Sequence, residues 1–233
     1  MENLKEKIVR EKEAKNAVIL AHNYQPDSIQ EIADYVGDSF GLSQKAAALE
    51  VETIVFAGVY FMAESAKILS PEKNVLIPDR FAGCPMAEMA DLETLEKMKA
   101  EYPEAEVVSY VNSSAEIKAA SDICCTSSNA VKIVNSLAAE KIIFLPDKNL
   151  GSYVAQQTDK EIIFWEGYCP THHRVIPADV KRMRKQYPQA LLAVHPECRK
   201  EVVEAADFAG STAGILKFAK ESKAQEIIVG TEL

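Results

Sequence analysis

The sequence predicts an α/β fold: a pseudo-threefold repeat of α/β/α domains with parallel sheets, the third repeat cut short. Three observations predict it. Short β-branched runs alternate with helical patterns, the signature of βαβ units and a parallel sheet. One pattern occurs three times, as "DYVGDSFGLSQKAA" from Asp34, "DICCTSSNAVKIV" from Asp122 and "DFAGSTAGILKFA" from Asp207. Each copy sets a hydroxyl five residues after its aspartate, at Ser39, Ser127 and Thr212, and the middle of an apolar run seventeen residues later, at Phe56, Phe144 and Val229. Upstream, each has an apolar run ending in a polar residue: "AVILAHNY", "AEVVSYVN" and "ALLAVHPE". The aspartates are 88 and 85 residues apart, a near-constant period of the size of a structural unit.

The elements follow in order. The N-terminus, charged from Glu2 to Lys15, is read as a helix leading into the first repeat, residues 1–90. There the apolar run Ala17–Ala21 is expected to be a strand, followed by a helix from about Ser28 to Tyr35 and another from Phe40. A strand at Thr53–Ala57, a helix at Met62–Leu69 and a strand at Asn74–Ile77 complete the unit. A linking helix, Leu92–Tyr102, opens the second repeat, residues 91–188, which keeps the same order. The third repeat, residues 189–233, starts near Ala190 and supplies half a unit.

Composition narrows the function. The 233 residues are enough to bury a sizeable core, and a net charge of -9 argues against nucleic acid or an anionic membrane as partner. The longest apolar run, "IVFAGVYFMA", is too short to span a bilayer, and the N-terminus lacks the apolar core of a signal peptide. Five cysteines, an odd number without export signals, point to a reducing cytoplasm and to thiols kept free or on metal.

The three hydroxyls lie at or just before helix starts, where each is either an N-cap or part of an anion site. Three helix N-termini facing one axis would hold a multiply charged small anion without arginines. The polar residues ending the first strands, His22, Asn112 and His195, would face the same centre, joined by Tyr24, Tyr110 and Glu197. Among the thiols, Cys124 and Cys125 fall where Val36/Gly37 and Ala209/Gly210 lie and are read as buried structural cysteines, Cys125 as a small residue at a tight turn. Cys198 has no counterpart and is also read as structural. Cys84 and Cys169 differ: each precedes proline, 50 and 47 residues after its aspartate. Cys-Pro recurs in iron–sulfur proteins, and the same spacing places a third cysteine 21 to 24 residues past Leu233.

The segments "AHNYQ", "YVNSSAEIKAASDICCTSSNAV", "FLPDKNLGSYVA", "GYCP", "HPEC" and "GSTAGI" closely resemble the quinolinate synthase A family of bacterial and archaeal NAD biosynthesis. The resemblance runs from about Ala17 to the end. It implies three domains around a [4Fe–4S] cluster held by one cysteine from each, with one iron open to substrate. The implied ligands here are Cys84 and Cys169, the third lying beyond the end of this chain. The implied reaction condenses iminoaspartate with dihydroxyacetone phosphate to quinolinate, phosphate and water, with an L-aspartate-oxidising enzyme as supplier. Iminoaspartate would be held by His22, Ser39, Tyr110, Asn112, Ser127, His195, Glu197 and Thr212. Tyr24 would be the acid/base residue, with His22 and Glu197 as further catalytic groups. Two rivals stand beside this: a non-catalytic dicarboxylate- or phosphate-binding remnant, and a zinc hydrolase using Cys84, Cys169 and His172, whose spacing fits no ordinary structural zinc pattern.

Overall fold

A computed structural model describes residues 3–231. The chain divides into two compact units, Met1–Cys84 and Pro85–Leu233.

The first unit runs α1 (Leu4–Ala14), β1 (Ala17–His22), α2 (Asp27–Gln30), β2 (Tyr35–Gly37), α3 (Ser39–Ala48), β3 (Thr53–Ala57), α4 (Tyr60–Leu69) and β4 (Asn74–Leu76). Helix α1 starts in a capping box: the Asn3 side chain accepts from the helix backbone and Glu6 reaches back to the Asn3 N–H. All neighbouring strands are parallel, in the order β2-β1-β3-β4. Leu20, Ile54 and Phe56 are fully buried on the central strands, with Leu42 and Ala46 of α3 and Phe61, Met62 and Ala66 of α4 buried beside the sheet.

The second unit continues with α5 (Leu92–Glu101), β5 (Glu106–Tyr110), α6 (Ala115–Ala119), β6 (Ile123–Cys125), α7 (Ala130–Ser136), β7 (Lys141–Leu145), α8 (Lys148–Ala155) and β8 (Glu161–Phe164). Then come α9 (Pro170–His173), α10 (Pro177–Gln186), β9 (Leu191–Val194), α11 (Lys200–Glu204), β10 (Phe208–Ala209), α12 (Thr212–Glu221) and β11 (Ile227–Gly230). They build two parallel sheets, β6-β5-β7-β8 and β10-β9-β11. Leu95, Val107, Ile117, Ile143, Leu145 and Trp165 form one core, and Val180, Leu192, Val194, Cys198 and Val202 the other. The fold is thus α/β with three parallel sheets, and each sheet sets its first strand between a short edge strand and its partner.

The recurring aspartates explain that edge. Asp34, Asp122 and Asp207 each turn a carboxylate onto a backbone N–H of the first strand, at Ile19 (2.8 Å), Val107 (2.7 Å) and Leu192 (2.8 Å). Each aspartate's own N–H donates to the carbonyl of the same residue. Each two- or three-residue edge strand is thereby tied to the first strand by two bonds besides its ladder. The lysines before the fourth strands form a second shared device. Lys73 donates to the carbonyls of Ala46 and Ala47 in the last turn of α3, where carbonyls lack intrahelical partners, and Lys160 to those of Leu137, the C-cap of α7, and Ala139 just beyond.

The structure departs from expectation in two places. The helix expected over Ser28–Tyr35 stops at Gln30, and Tyr35 already lies in β2. Strands of three residues are too short to show alternation, so apolar pattern alone misassigns them. Gly37, Cys125 and Gly210 stand at or just beyond the ends of those strands, with no glycine at positive φ, so no tight left-handed turn sets their size. Crowding does so at Gly210, where a Cβ would meet the Phe208 ring at 2.7 Å.

Candidate functional site

Within the second unit, the loops after the strands bring Tyr110, Ser127, Cys169, His172, His195 and Glu197 into one network, with Ser127 and Cys169 half-buried and the others buried. Tyr110 ends β5, and the turn after it is locked from below. Ser109 and Ser113 share a hydrogen bond of 2.8 Å, Ser113 donates to the Tyr110 carbonyl, and Ser114 caps α6. The next turn, "TSSN", assigns its hydroxyls separately. Thr126 bonds to Ser128 and to Asn129, whose side chain also takes the Thr126 N–H. Ser127 is left to bond the Tyr110 hydroxyl, which also bonds Glu197.

Glu197 is the centre of the network. His172 Nδ1 lies 2.9 Å from Glu197 Oε2 and 3.2 Å from Cys169 Sγ, while His172 Nε2 lies 2.9 Å from the Thr231 hydroxyl. Burial alone would raise the Glu197 carboxyl; nearby His195, with hydrogen bonds from His172 and Tyr110, more than offsets that and holds it below the usual carboxylate range. With Glu197 ionised, His172 donates from Nδ1. Burial, and then the negative charge of Glu197, pushes the Tyr110 hydroxyl well up, so it stays a neutral donor. The His172 and His195 rings stack with centroids 4.6 Å apart. His195 Nδ1 accepts the Glu197 N–H at 3.3 Å, which puts its proton on Nε2.

The first unit repeats that last detail. His22 is buried at the end of β1, its Nδ1 accepting the Tyr24 N–H at 3.3 Å, with the two rings edge to face at 4.6 Å. Burial lowers both histidines to about 4, against the pull of Asp38 on His22 and of Glu197 on His195. Ser39 opens α3 and Thr212 opens α12, but the capping is done by their neighbours: Asp38 accepts the Gly41 N–H and Ser211 the Gly214 N–H. The N-cap reading therefore fails for both hydroxyls. Asn112 sits half-buried in the turn after β5.

Of the five free cysteines, Cys125 and Cys198 are buried, while Cys124 is only half-buried because β6 is an edge strand. Cys84 and Cys169 are half-buried in loops tethered alike: the Tyr60 N–H donates to the Ala82 carbonyl and the Lys148 N–H to the Gly167 carbonyl, each two residues before its cysteine. Gly167 must be glycine, since a Cβ there would run into the Pro146 carbonyl oxygen. Cys169 Sγ, a His172 ring nitrogen and a Glu197 oxygen lie within 4.8 Å of one another, a cysteine-containing group able to take a metal ion. Burial, and then Glu197, pushes the Cys169 thiol up, so its thiolate needs a cation beside it. That donor set fits a metal site and fits poorly with a free nucleophile.

The sequence reading missed Asp147 and Asn149. Asp147, fully buried, accepts the Leu150 N–H on Oδ1 and the Cys169 N–H on Oδ2, both at 2.8 Å. Burial, and then Glu197, pushes its carboxyl up to about 7. Asn149 donates to the Glu197 carbonyl at 3.0 Å and contacts His173 Nδ1 at 3.1 Å. Both lie in "FLPDKNLG", between an apolar strand and a helix, where Asp reads simply as a cap.

Comparison with known proteins gives concordant results. The family model described as quinolinate synthetase A protein matches residues 6–233. A quinolinate synthase of Alkaliphilus metalliredigens (strain QYMF) is 58% identical over 99% of this chain and 77% of its own length. Those of Methanosarcina barkeri (strain Fusaro / DSM 804) and Geobacter metallireducens (strain ATCC 53774 / DSM 7210 / GS-15) are 57% and 55% identical, over 97% and 99% of this chain and 75% and 76% of theirs.

Proposed function

Because this chain belongs to the quinolinate synthetase A protein family, we propose that it condenses iminoaspartate with dihydroxyacetone phosphate to give quinolinate, phosphate and two waters. The observation that carries the reading is the buried Glu197, ionised and bonded to Tyr110 and His172, beside a thiol that needs a cation. In this reading Cys84 and Cys169 give thiolates to a [4Fe–4S] cluster. When bound, the cluster supplies a Lewis-acidic iron that helps a hydroxyl leave. An L-aspartate-oxidising enzyme supplies the iminoaspartate, and the reducing cytoplasm suits five free thiols. Among the described residues no helix is long and apolar enough to cross a membrane. The domain organisation proposed is two α/β repeats, residues 1–90 and 91–188, and the first half of a third, residues 189–233.

The side chains divide the work. His22 and His195 present Nε2–H donors, because each Nδ1 already accepts a backbone N–H. Neutral donors of this kind, with the hydroxyls of Ser39, Ser127 and Thr212 and the Asn112 amide, bind substrate carboxylates without competing for their protons. The Tyr110 hydroxyl, a neutral donor bonded to Glu197 with Ser127 as its second partner, lines the same substrate site. Tyr24, whose ring packs against His22, is the acid/base group for the condensing carbons. For the gene product carrying this sequence, reconstituted anaerobically with iron and sulfide, quinolinate should form from the two substrates. Glu197→Gln should lose about 10²-fold or more in kcat with iron content unchanged. Undiminished turnover in that variant would contradict a catalytic role for Glu197.

A further inference from the structure

We propose that Asp147 and Asn149 are positioning residues that fix Cys169 and Glu197 relative to one another; the inference rests on Cys169 being a metal ligand. One carboxylate does two things. Its Oδ1 starts α8 at the Leu150 N–H, and its Oδ2 holds the backbone N–H of Cys169, each at 2.8 Å. Next along the chain, the Lys148 N–H takes the Gly167 carbonyl at 2.9 Å, and Asn149 takes the Glu197 carbonyl at 3.0 Å. Three consecutive residues thus tie one helix start to the cysteine loop and to the loop carrying the acid.

Capping alone does not explain this. At the corresponding position of the first unit, α4 starts from Val59 with no side-chain cap. Asp91 caps α5 with the same 2.8 Å bond to Thr94, yet does so at an exposed position. Burying a carboxylate is costly unless both oxygens are bonded, and at Asp147 the second bond goes to Cys169. Asn would leave an N–H facing the Cys169 N–H, so Asp147→Asn removes this tether while resembling the native residue in shape.

The test is the rate at which a chelator strips iron from the reconstituted protein. Asp147→Asn and Asn149→Ala should release iron about 10–100-fold faster than wild type, the range for residues that orient metal ligands. Asp91→Asn, the same exchange at a helix cap that carries no second bond to the Cys169 loop, should release it at the wild-type rate. Release from Asp147→Asn as slow as from Asp91→Asn would overturn the proposal. Cys169→Ser separates the two claims: iron held as firmly in that variant as in wild type refutes the ligand assignment itself. Amide exchange in the wild-type protein without iron needs no folded variant. The Cys169 N–H should exchange as slowly as that of Leu150, and fast exchange would refute the tether.

Discussion

Each of His22 and His195 accepts the N–H of the residue two places on, and that single bond decides what the ring can offer. A neutral ring with its proton on Nε2 is expected in both, with no titration between about pH 5.5 and 8; nitrogen NMR shifts report the tautomer and the absence of titration. The folded rings take up a proton only near 4, whereas an exposed histidine does so at about 6.5. The unfolded chain therefore binds more protons in that window, and stability should fall as pH drops from about 6.5 to about 4. Tyr24→Phe keeps the ring packed on His22 and deletes the hydroxyl. Turnover should fall at least about 10²-fold, with iron content and melting temperature unchanged, and near-normal turnover would leave Tyr24 as packing. The matching places of His22 and His195, each accepting an N–H two residues on, were legible because polar residues at the ends of apolar runs recur. His172 was noticed only as a zinc-like neighbour of Cys169, because its bond to Glu197 depends on a long-range fold contact. Asp147 was illegible for the same reason: its second bond crosses 22 residues.

At the scale of elements, the aspartate clamp is the device that keeps the edge strands in place. Asp207 is held below the usual carboxylate range by the Leu192 N–H, with Arg184 at 2.9 Å adding to it. A lowered carboxyl contributes stability above its unfolded value, about 3.9, and loses it as pH falls through the folded value. Asp207→Asn should therefore be less stable than wild type at neutral pH, by about 1 kcal/mol or less because solvent screens an exposed carboxylate. The two urea midpoints should converge in acid; a constant gap from pH 7 to pH 3 would show that charge plays no part. Most strands and helices were legible from apolar period and helix signals: Thr53–Ala57 is the span expected, and the linking helix ends one residue early. The edge strands were not, since two or three residues give no period to read. What marked them in the sequence was the aspartate itself, noticed as a repeat landmark without its bond.

For the whole molecule, three parallel sheets with one shared strand order agree with a sequence pattern that occurs three times. The order was legible because hydroxyl, apolar run and aspartate keep their spacing when side chains change. A cysteine-containing group able to take a metal ion was legible only through the Cys-Pro pairs; the structure adds that burial, and then Glu197, keeps Cys169 a thiol unless a cation lies beside it. In the proposed function this protein makes quinolinate at an iron site that includes Cys169. The most direct measurement is a side-by-side anaerobic reconstitution of wild type and Cys169→Ser with iron and sulfide. The thiolate-to-iron absorption band and quinolinate formed from iminoaspartate and dihydroxyacetone phosphate are both recorded. Wild type should gain the band and form quinolinate, and Cys169→Ser should do neither. Equal quinolinate from both proteins, or a wild type that takes up no iron, would contradict the account.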